Sequence, residues 1–333
     1  MKTHVETKRL ALVDPFGISR GTSTEKFNTF VEIDEGIGEA APSTYYGECR
    51  ETVETVLPLL LEAVEEDPFA IEASHRKMDE LLGGHTAAKA AIDMALYDRL
   101  GKRLGIPLYQ LWGLDPRRTC VSSFTIGLAE TEEMLRKVRA AEPYPVLKIK
   151  MGQPNDLEQL RAIREITPKR IWVDANAVWS PQEALYKIDA MAELGVEFVE
   201  QPMPAKNVEG MRWLYRHTRL PIILDESCRV SSDIPALVGQ CDGINIKLMK
   251  SGGLYEGLKM IHTARAHGLK VMIGSMIECS VANTAAAHLT PLVDYADLDG
   301  HVLIAEDPYQ GLRLENGKII LPDGPGLGVT PRA

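Results

Sequence analysis

Cysteine and aromatic residues are scarce in this chain: five Cys, and 6% Phe, Trp and Tyr, among 333 residues. Cys49, Cys120, Cys228, Cys241 and Cys279 are scattered, with no CxxC pair and no zinc spacing, which excludes a disulfide scaffold or a cysteine metal centre. No run approaches the roughly 18 apolar residues of a membrane span, and the opening MKTHVETKRLALVDPF lacks the apolar core of a signal peptide. No basic cluster offsets the net charge of −10, so neither nucleic acid nor an anionic membrane is an expected partner. With 45% hydrophobic and 25% charged residues, the expectation is a soluble, reduced, cytoplasmic protein.

What the chain does have is a period. In its second half, short apolar runs end in polar residues about every 22–28 positions: Lys148 and Lys150 (VLKIK), Asp174 (IWVD), Glu200 (FVE), Asp225 (PIILD), Lys247 (GINIK), Ser275 (VMIGS) and Asp297 (VDYAD). That interval suits one strand, one helix and two loops, so the fold class is α/β, a barrel of βα units. In such barrels the active site is built at the C-terminal ends of the strands. Residues 116–310 form the expected barrel, starting with the strand CVSSFTIG near Thr119. After Asp297 no full helix is expected.

Residues 1–115 read as a separate α+β module. Two strand-like runs, ETKRLAL and TFVEIDE, flank a polar loop, FGISRGTSTEKFN; a second glycine-bearing loop, APSTYYGE, follows. The helical pattern ETVETVLPLLLEAVEE places Pro58 near its start, and HTAAKAAIDMALYDRL stops at Gly101. Within the barrel, Ser180, Pro181 and Glu183 spell a capping box. Residues 311–333 resemble a hairpin turning at Glu315–Gly317 that returns to the N-terminal module.

Asp174, Glu200 and Asp225 come from three consecutive strands. An all-carboxylate set suits Mg²⁺ and lacks the His or Cys that zinc prefers. Lys148 and Lys150 flank Ile149 and so face the same way; adjacent ammonium groups depress each other's pKa and favour a neutral amine. Lys247 lies four strands away, where a second base reaches the opposite face of a substrate. Lys250 reads as a loop residue before Gly252–Gly253, and Glu226 as a hydrogen-bond or ion-pair partner. Tyr45, Tyr46 and Glu48 are candidates for shaping substrate choice.

The segments KIK, VDAN, EQP, LDES, NIKLMKSGG and GSMIE, with AAIDMALYDRLGKRLGIPLYQLWG, resemble the muconate-lactonizing subgroup of the enolase superfamily over essentially the whole chain. The resemblance implies a (β/α)7β TIM-like barrel with an N-terminal α+β capping domain. It implies one Mg²⁺ per subunit at Asp174, Glu200 and Asp225, and Lys150 with Lys247 as the acid/base pair. Lys148, Asn176 and Glu226 would support them. Enolase-superfamily sites use a Lys or His base with Mg²⁺ stabilising an ene-diolate.

ADLDG places Asp297 and Asp299 on one side of the last strand, which suits a cationic group and resembles the amine-binding pair of dipeptide epimerases. Arg20, in SRGT, is the natural partner of a substrate side-chain carboxylate, and Ser275 lines the pocket. The expected function is Mg²⁺-dependent epimerisation of a small L-Ala-D/L-Glu-like dipeptide by two-lysine 1,1-proton transfer, in a homo-oligomer, which suggests recycling of cell-wall peptides. The alternatives are another dipeptide specificity, or the cycloisomerase, o-succinylbenzoate synthase or N-acylamino-acid racemase reactions of the same subgroup. Outside the family, a metal-free Schiff-base lyase and a catalytically dead scaffold are the rivals.

Overall fold

In a computed structural model that describes residues 1–332, three antiparallel strands open the chain: β1 (Thr3–Ile18), β2 (Gly21–Ile33) and β3 (Gly36–Ala40). The polar stretch read as a loop, FGISRGTSTEKFN, is instead the far end of a long hairpin. Pairing slips between Ala11 and Phe16, resumes at Phe16–Ser23, and reaches Ile18–Gly21, leaving only Ser19 and Arg20 at the tip. The polarity reflects a ribbon exposed on one face, where alternation rather than loop chemistry applies.

Three helices cover this sheet: α1 (Arg50–Leu61), α2 (Ile71–Leu81) and α3 (Thr86–Leu104). Pro58 is not near the start of α1 but inside its last turn; Cys49 and Thr52 fix the start, and the helix ends three residues beyond the proline. Nor does α3 stop at Gly101. It runs to Leu104 and is capped by left-handed Gly105 (φ 70°). Gly101 serves packing, since a Cβ there would lie 2.5 Å from the Cα of Gly326.

A short helix, α4 (Leu108–Leu111), leads into the barrel strands: β4 (Phe124–Ile126), β5 (Val146–Lys150), β6 (Arg170–Asp174), β7 (Val196–Glu200), β8 (Ile222–Leu224), β9 (Gly243–Lys247), β10 (Lys270–Gly274) and β11 (Tyr295–Asp297). They form one parallel sheet in sequential order, and a Ser122–Ala296 bridge next to β4 closes the ring against β11. Seven helical crossings cover the outside: α5 (Thr131–Ala140), α6 (Asp156–Ile166), α7 (Pro181–Glu193), α8 (Val208–His217), the single turn α9 (Ile234–Leu237), the pair α10 (Leu248–Ser251) and α11 (Leu254–Ala266), and α12 (Ser280–Ala287). Only a 3-10 turn, Gly300–Leu303, follows β11, which makes the barrel (β/α)7β. At α7, Ser180 Oγ accepts the Glu183 amide at 3.3 Å, but the Glu183 carboxylate pairs with Lys187 rather than completing the box.

The period of two governs the interior. Leu147, Ile149, Ile171, Val173, Ile244 and Ile246 point outward into the continuous core beneath the helices. The inward positions near the strand starts are apolar too: Val146, Trp172, Phe198, Ile223 and Met272 form a second, separate cluster, against which Val121 and Tyr295 pack. Two residues beyond Val146, Trp172, Phe198 and Ile223 the inward positions become Lys148, Asp174, Glu200 and Asp225. The tail forms the hairpin β12 to β15: β13 (Arg313–Glu315) and β14 (Lys318–Ile320) pair across a turn of two positive-φ residues, Asn316 and Gly317, while β12 (Tyr309–Gln310) pairs with β15 (Thr330–Pro331). Among the described residues no helix is long and apolar enough to cross a membrane.

Candidate active site

The polar inward side chains gather where the strand ends meet the capping sheet, around a cavity of about 390 Å³. Lys148, Lys150, Asp225, Lys247, Ser275, Asp297 and Asp299 line it from the barrel, and Arg20, Tyr45 and Tyr46 from the capping side. Asp174 and Glu200 touch Lys148, Glu226 touches Arg20 and Lys250 touches Asp225, so these four lie against the lining without belonging to it. Glu48 stands apart. Its carboxylate accepts the Ala87 amide and the Thr86 hydroxyl at the start of α3, so it caps a helix and does not face the cavity.

Lys148, fully buried, stands 2.7 Å from Glu200 Oε2, 2.7 Å from Asp297 Oδ2 and 3.3 Å from Asp174 Oδ2. The expected depression of its pKa is overturned. Burial pulls it down, but the carboxylates of Asp297, Glu200 and Asp174 outweigh that and hold the ammonium well above the ordinary range. Lys150 rests on Asp174 Oδ2 at 2.6 Å and Lys247 on Asp225 Oδ2 at 2.8 Å. Lys247 is likewise raised: burial opposes its charge, and Asp225, Glu200 and Asp174 together outweigh it. Strands β5 and β9 are four apart in a ring of eight, so Lys150 and Lys247 enter from opposite walls.

Asp174, Glu200 and Asp225 are all buried, but do not close on a common centre. Lys148 stands between the first two, while Lys247 and Lys250 hold the third, and among the described residues no three His, Cys, Asp or Glu side chains are arranged to hold a metal as they stand. Their chemistry still fits a hard divalent cation: three buried carboxylates, of which Glu200 Oε2 and Asp225 Oδ1 meet only the ammonium groups of Lys148 and Lys250. Asp174 and Asp225 are held well below the usual carboxylate range, because lysine charge outweighs the burial penalty. For Glu200 burial and Asp174 prevail, and its carboxyl is raised.

Lys250 is not a loop residue. It is wholly buried on α10, donates to the carbonyls of Asp225, Cys228 and Asn245 at 2.7–2.9 Å, and lies 2.5 Å from Asp225 Oδ1. Asn245 Nδ2 donates to Glu200 Oε1 at 2.8 Å, and Gln201 Oε1 accepts the amides of Asp225 and Ser227. Asn245 is not among the sequence-derived candidates, although its strand parity with Lys247 marks it. Nothing comparable marks Lys250.

Asp297 accepts from Ser123 Oγ at 2.7 Å and Thr125 Oγ1 at 3.1 Å, and Asp299 from the Thr125 amide at 2.6 Å. Burial and the neighbouring Asp297 push Asp299 up to about 7. Ser275 Oγ lies 3.5 Å from the Asp297 carbonyl. Arg20 donates to Glu226 Oε1 at 3.2 Å and to the Asn176 carbonyl at 3.1 Å, with its guanidinium 4.4 Å from the Tyr45 ring centroid. Asn176 donates its amide to Asp174 Oδ1. Burial, Asp225 and Asp174 push Glu226 up to about 7.

This fold and site define a class, and sequence comparison agrees: residues 1–113 match the mandelate racemase/muconate lactonizing enzyme N-terminal domain and residues 130–333 the enolase C-terminal domain-like model, so the chain belongs to that family of the enolase superfamily. The L-Ala-D/L-Glu epimerase of Bacteroides thetaiotaomicron is 41% identical over 96% of this chain and 85% of its own. A substrate-liganded L-Ala-D/L-Glu epimerase from Bacillus subtilis superposes with a TM-score of 0.95 at 30% identity, covering 100% of this chain and 99% of that one. A dipeptide epimerase from Enterococcus faecalis, complexed with Mg and L-Leu-L-Tyr, gives 0.94 at 34% identity, with 99% of each chain covered.

Proposed function

We propose that the protein is a Mg²⁺-dependent dipeptide epimerase acting on L-Ala-D/L-Glu-like substrates. The observation that carries the reading is the placement of Lys150 and Lys247 on opposite walls of a cavity that also holds a buried aspartate pair. Inversion at a carbon requires a proton to leave one face and another to arrive at the opposite one. Two lysines on facing strands supply the two positions. One must be neutral when reaction begins and the other charged, and exchanging these states reverses the direction.

Asp297 and Asp299 would hold the substrate's N-terminal ammonium, with Ser123 and Thr125 fixing their orientation. Arg20 would take an acidic side chain at the epimerised position, and its contacts with Glu226 and Tyr45 hold the guanidinium at the rim. Asn176 and Ser275 complete the lining. Mg²⁺ held by Asp174, Glu200 and Asp225 would supply positive charge against the negative charge that develops when the proton leaves. Lys148 would keep the surrounding acids ionised.

We read the chain as capping domain 1–115, barrel 116–310 and a returning segment 311–333. Support comes from the close approach of Gly326 to Gly101 and from Leu327, whose amide donates to Asp98 on α3. Five free cysteines fit a reduced, cytoplasmic setting, and assembly into a homo-oligomer belongs to the same reading. Incubating L-Ala-L-Glu with enzyme and Mg²⁺ in D₂O tests it. Deuterium should enter the glutamate α-carbon as L-Ala-D-Glu accumulates; no incorporation rejects the assignment.

A further inference from the structure

We propose that Glu39, a buried carboxylate of the capping domain, is a positioning residue that sets the cavity wall Ser275–Ile277 and thereby substrate affinity. The inference rests on the epimerase reading and adds a residue to it. Glu39 lies on β3, wholly shielded from solvent and outside the lining of the cavity. Its Oε1 accepts from Asn28 Nδ2 at 2.7 Å and from the Cys279 amide at 2.8 Å, and its Oε2 from the Ala282 amide at 3.0 Å. The same Asn28 Nδ2 donates to the Ile277 carbonyl at 3.1 Å.

One carboxylate therefore joins the capping sheet to the first turn of α12 and to the segment leading into it. That segment follows β10, and Ser275, Met276 and Ile277 line the cavity, as does Asn28. The barrel holds the segment separately. Met276 donates its amide to Glu278 at 2.7 Å, Asn283 Nδ2 donates to the Glu278 carbonyl at 2.8 Å, and Gly300 packs closely on the Met276 carbonyl. Loss of Glu39 would remove its own ties from the capping sheet to Cys279 and Ala282 and leave those barrel contacts, with the Asn28–Ile277 hydrogen bond, in place.

Every group facing Glu39 at hydrogen-bonding distance is a donor, so the carboxylate is used as an acceptor at both oxygens. An amide in its place must turn an NH₂ toward the Ala282 amide or toward Asn28 and Cys279. Burial, opposed by these donors, pushes Glu39 up to about 7, and the neighbouring Asp307 adds to the rise. The site is thus sensitive to a change of one atom without a change of volume.

The test uses the full-length enzyme with Mg²⁺ and L-Ala-L-Glu, comparing wild type, Glu39→Gln and Glu39→Asp. Loss of a charge-assisted hydrogen bond predicts that Glu39→Gln raises KM about tenfold or more while kcat per folded enzyme stays within about twofold. Hydrogen exchange should accelerate in residues 275–282 and not in the remaining strand ends, and Glu39→Asp, which keeps an anionic acceptor, should recover part of the KM. An unchanged KM, with activity falling only in proportion to folded protein, overturns the proposal, because that is the behaviour of a purely structural cap. If neither variant folds, Glu39 is a folding determinant and the positioning role is rejected. A wild-type enzyme inert toward L-Ala-L-Glu would instead refute the epimerase reading itself.

Discussion

The two ends of the barrel interior are built on the same strands and differ in almost everything else. At the strand starts, Trp172 and Phe198 stack with centroids 4.9 Å apart and Tyr295 closes on both. At the strand ends, two residues on, stand Asp174, Glu200 and Asp297 with four lysines among them. Pairing of β5 with β6 runs in register through both layers, whereas β6 and β7 slip by one residue between Ile171 and Val173, at the boundary between them. The lower layer is stabilised by burying apolar surface, whereas the upper buries charges whose desolvation is repaid only while each keeps its partner. Stability and chemistry are therefore separated by one step of strand alternation.

Breaking the upper layer should have the largest effect. Removing divalent metal with EDTA, or making Glu200→Gln, is expected to lower turnover by about 10³-fold or more, with activity after EDTA restored by Mg²⁺. Steady-state rates and Mg²⁺ titration calorimetry check both. Breaking the lower layer should do the reverse: Trp172→Ala is expected to cost about 3–5 kcal/mol in denaturant unfolding while KM of the folded fraction is retained. Smaller than either, the effect of Arg20→Ala at the rim should be a fall in kcat/KM for L-Ala-L-Glu of about 10–100-fold, sparing a dipeptide with an apolar second residue.

The most gradual effect concerns pH. Glu278 is buried beneath the cavity, and burial, with Glu39 beside it, pushes its carboxyl from 4.5 up to about 8. The folded state then holds a proton that the unfolded chain releases, so its contribution is full below about 4.5 and declines as pH rises through about 8. The decline is at most about 1.4 kcal/mol per pH unit, and Glu278→Gln should flatten the unfolding free energy across that window.

How much of this was legible depended on the range of the interaction. The barrel and the inward-facing lysines follow from alternation within single strands, so VLKIK and GINIK declare their inward residues without any partner. The far end of the capping hairpin reads as a loop because an exposed polar ribbon carries the composition of one. Gly101 was misread because its reason is a neighbouring backbone, that of Gly326, more than 200 residues away. Lys250 and Glu48 were misplaced for a related cause: their roles, filling Asp225's second oxygen and capping α3, exist only in the assembled molecule.

The most direct test of the central claim is proton exchange in the single-lysine variants. In D₂O with Mg²⁺, Lys247→Ala and Lys150→Ala should each exchange the α-proton of one epimer of L-Ala-Glu without converting it, and the two variants should select opposite epimers. Loss of exchange with the same epimer in both, or continued epimerisation in either, would contradict two bases acting from opposite walls.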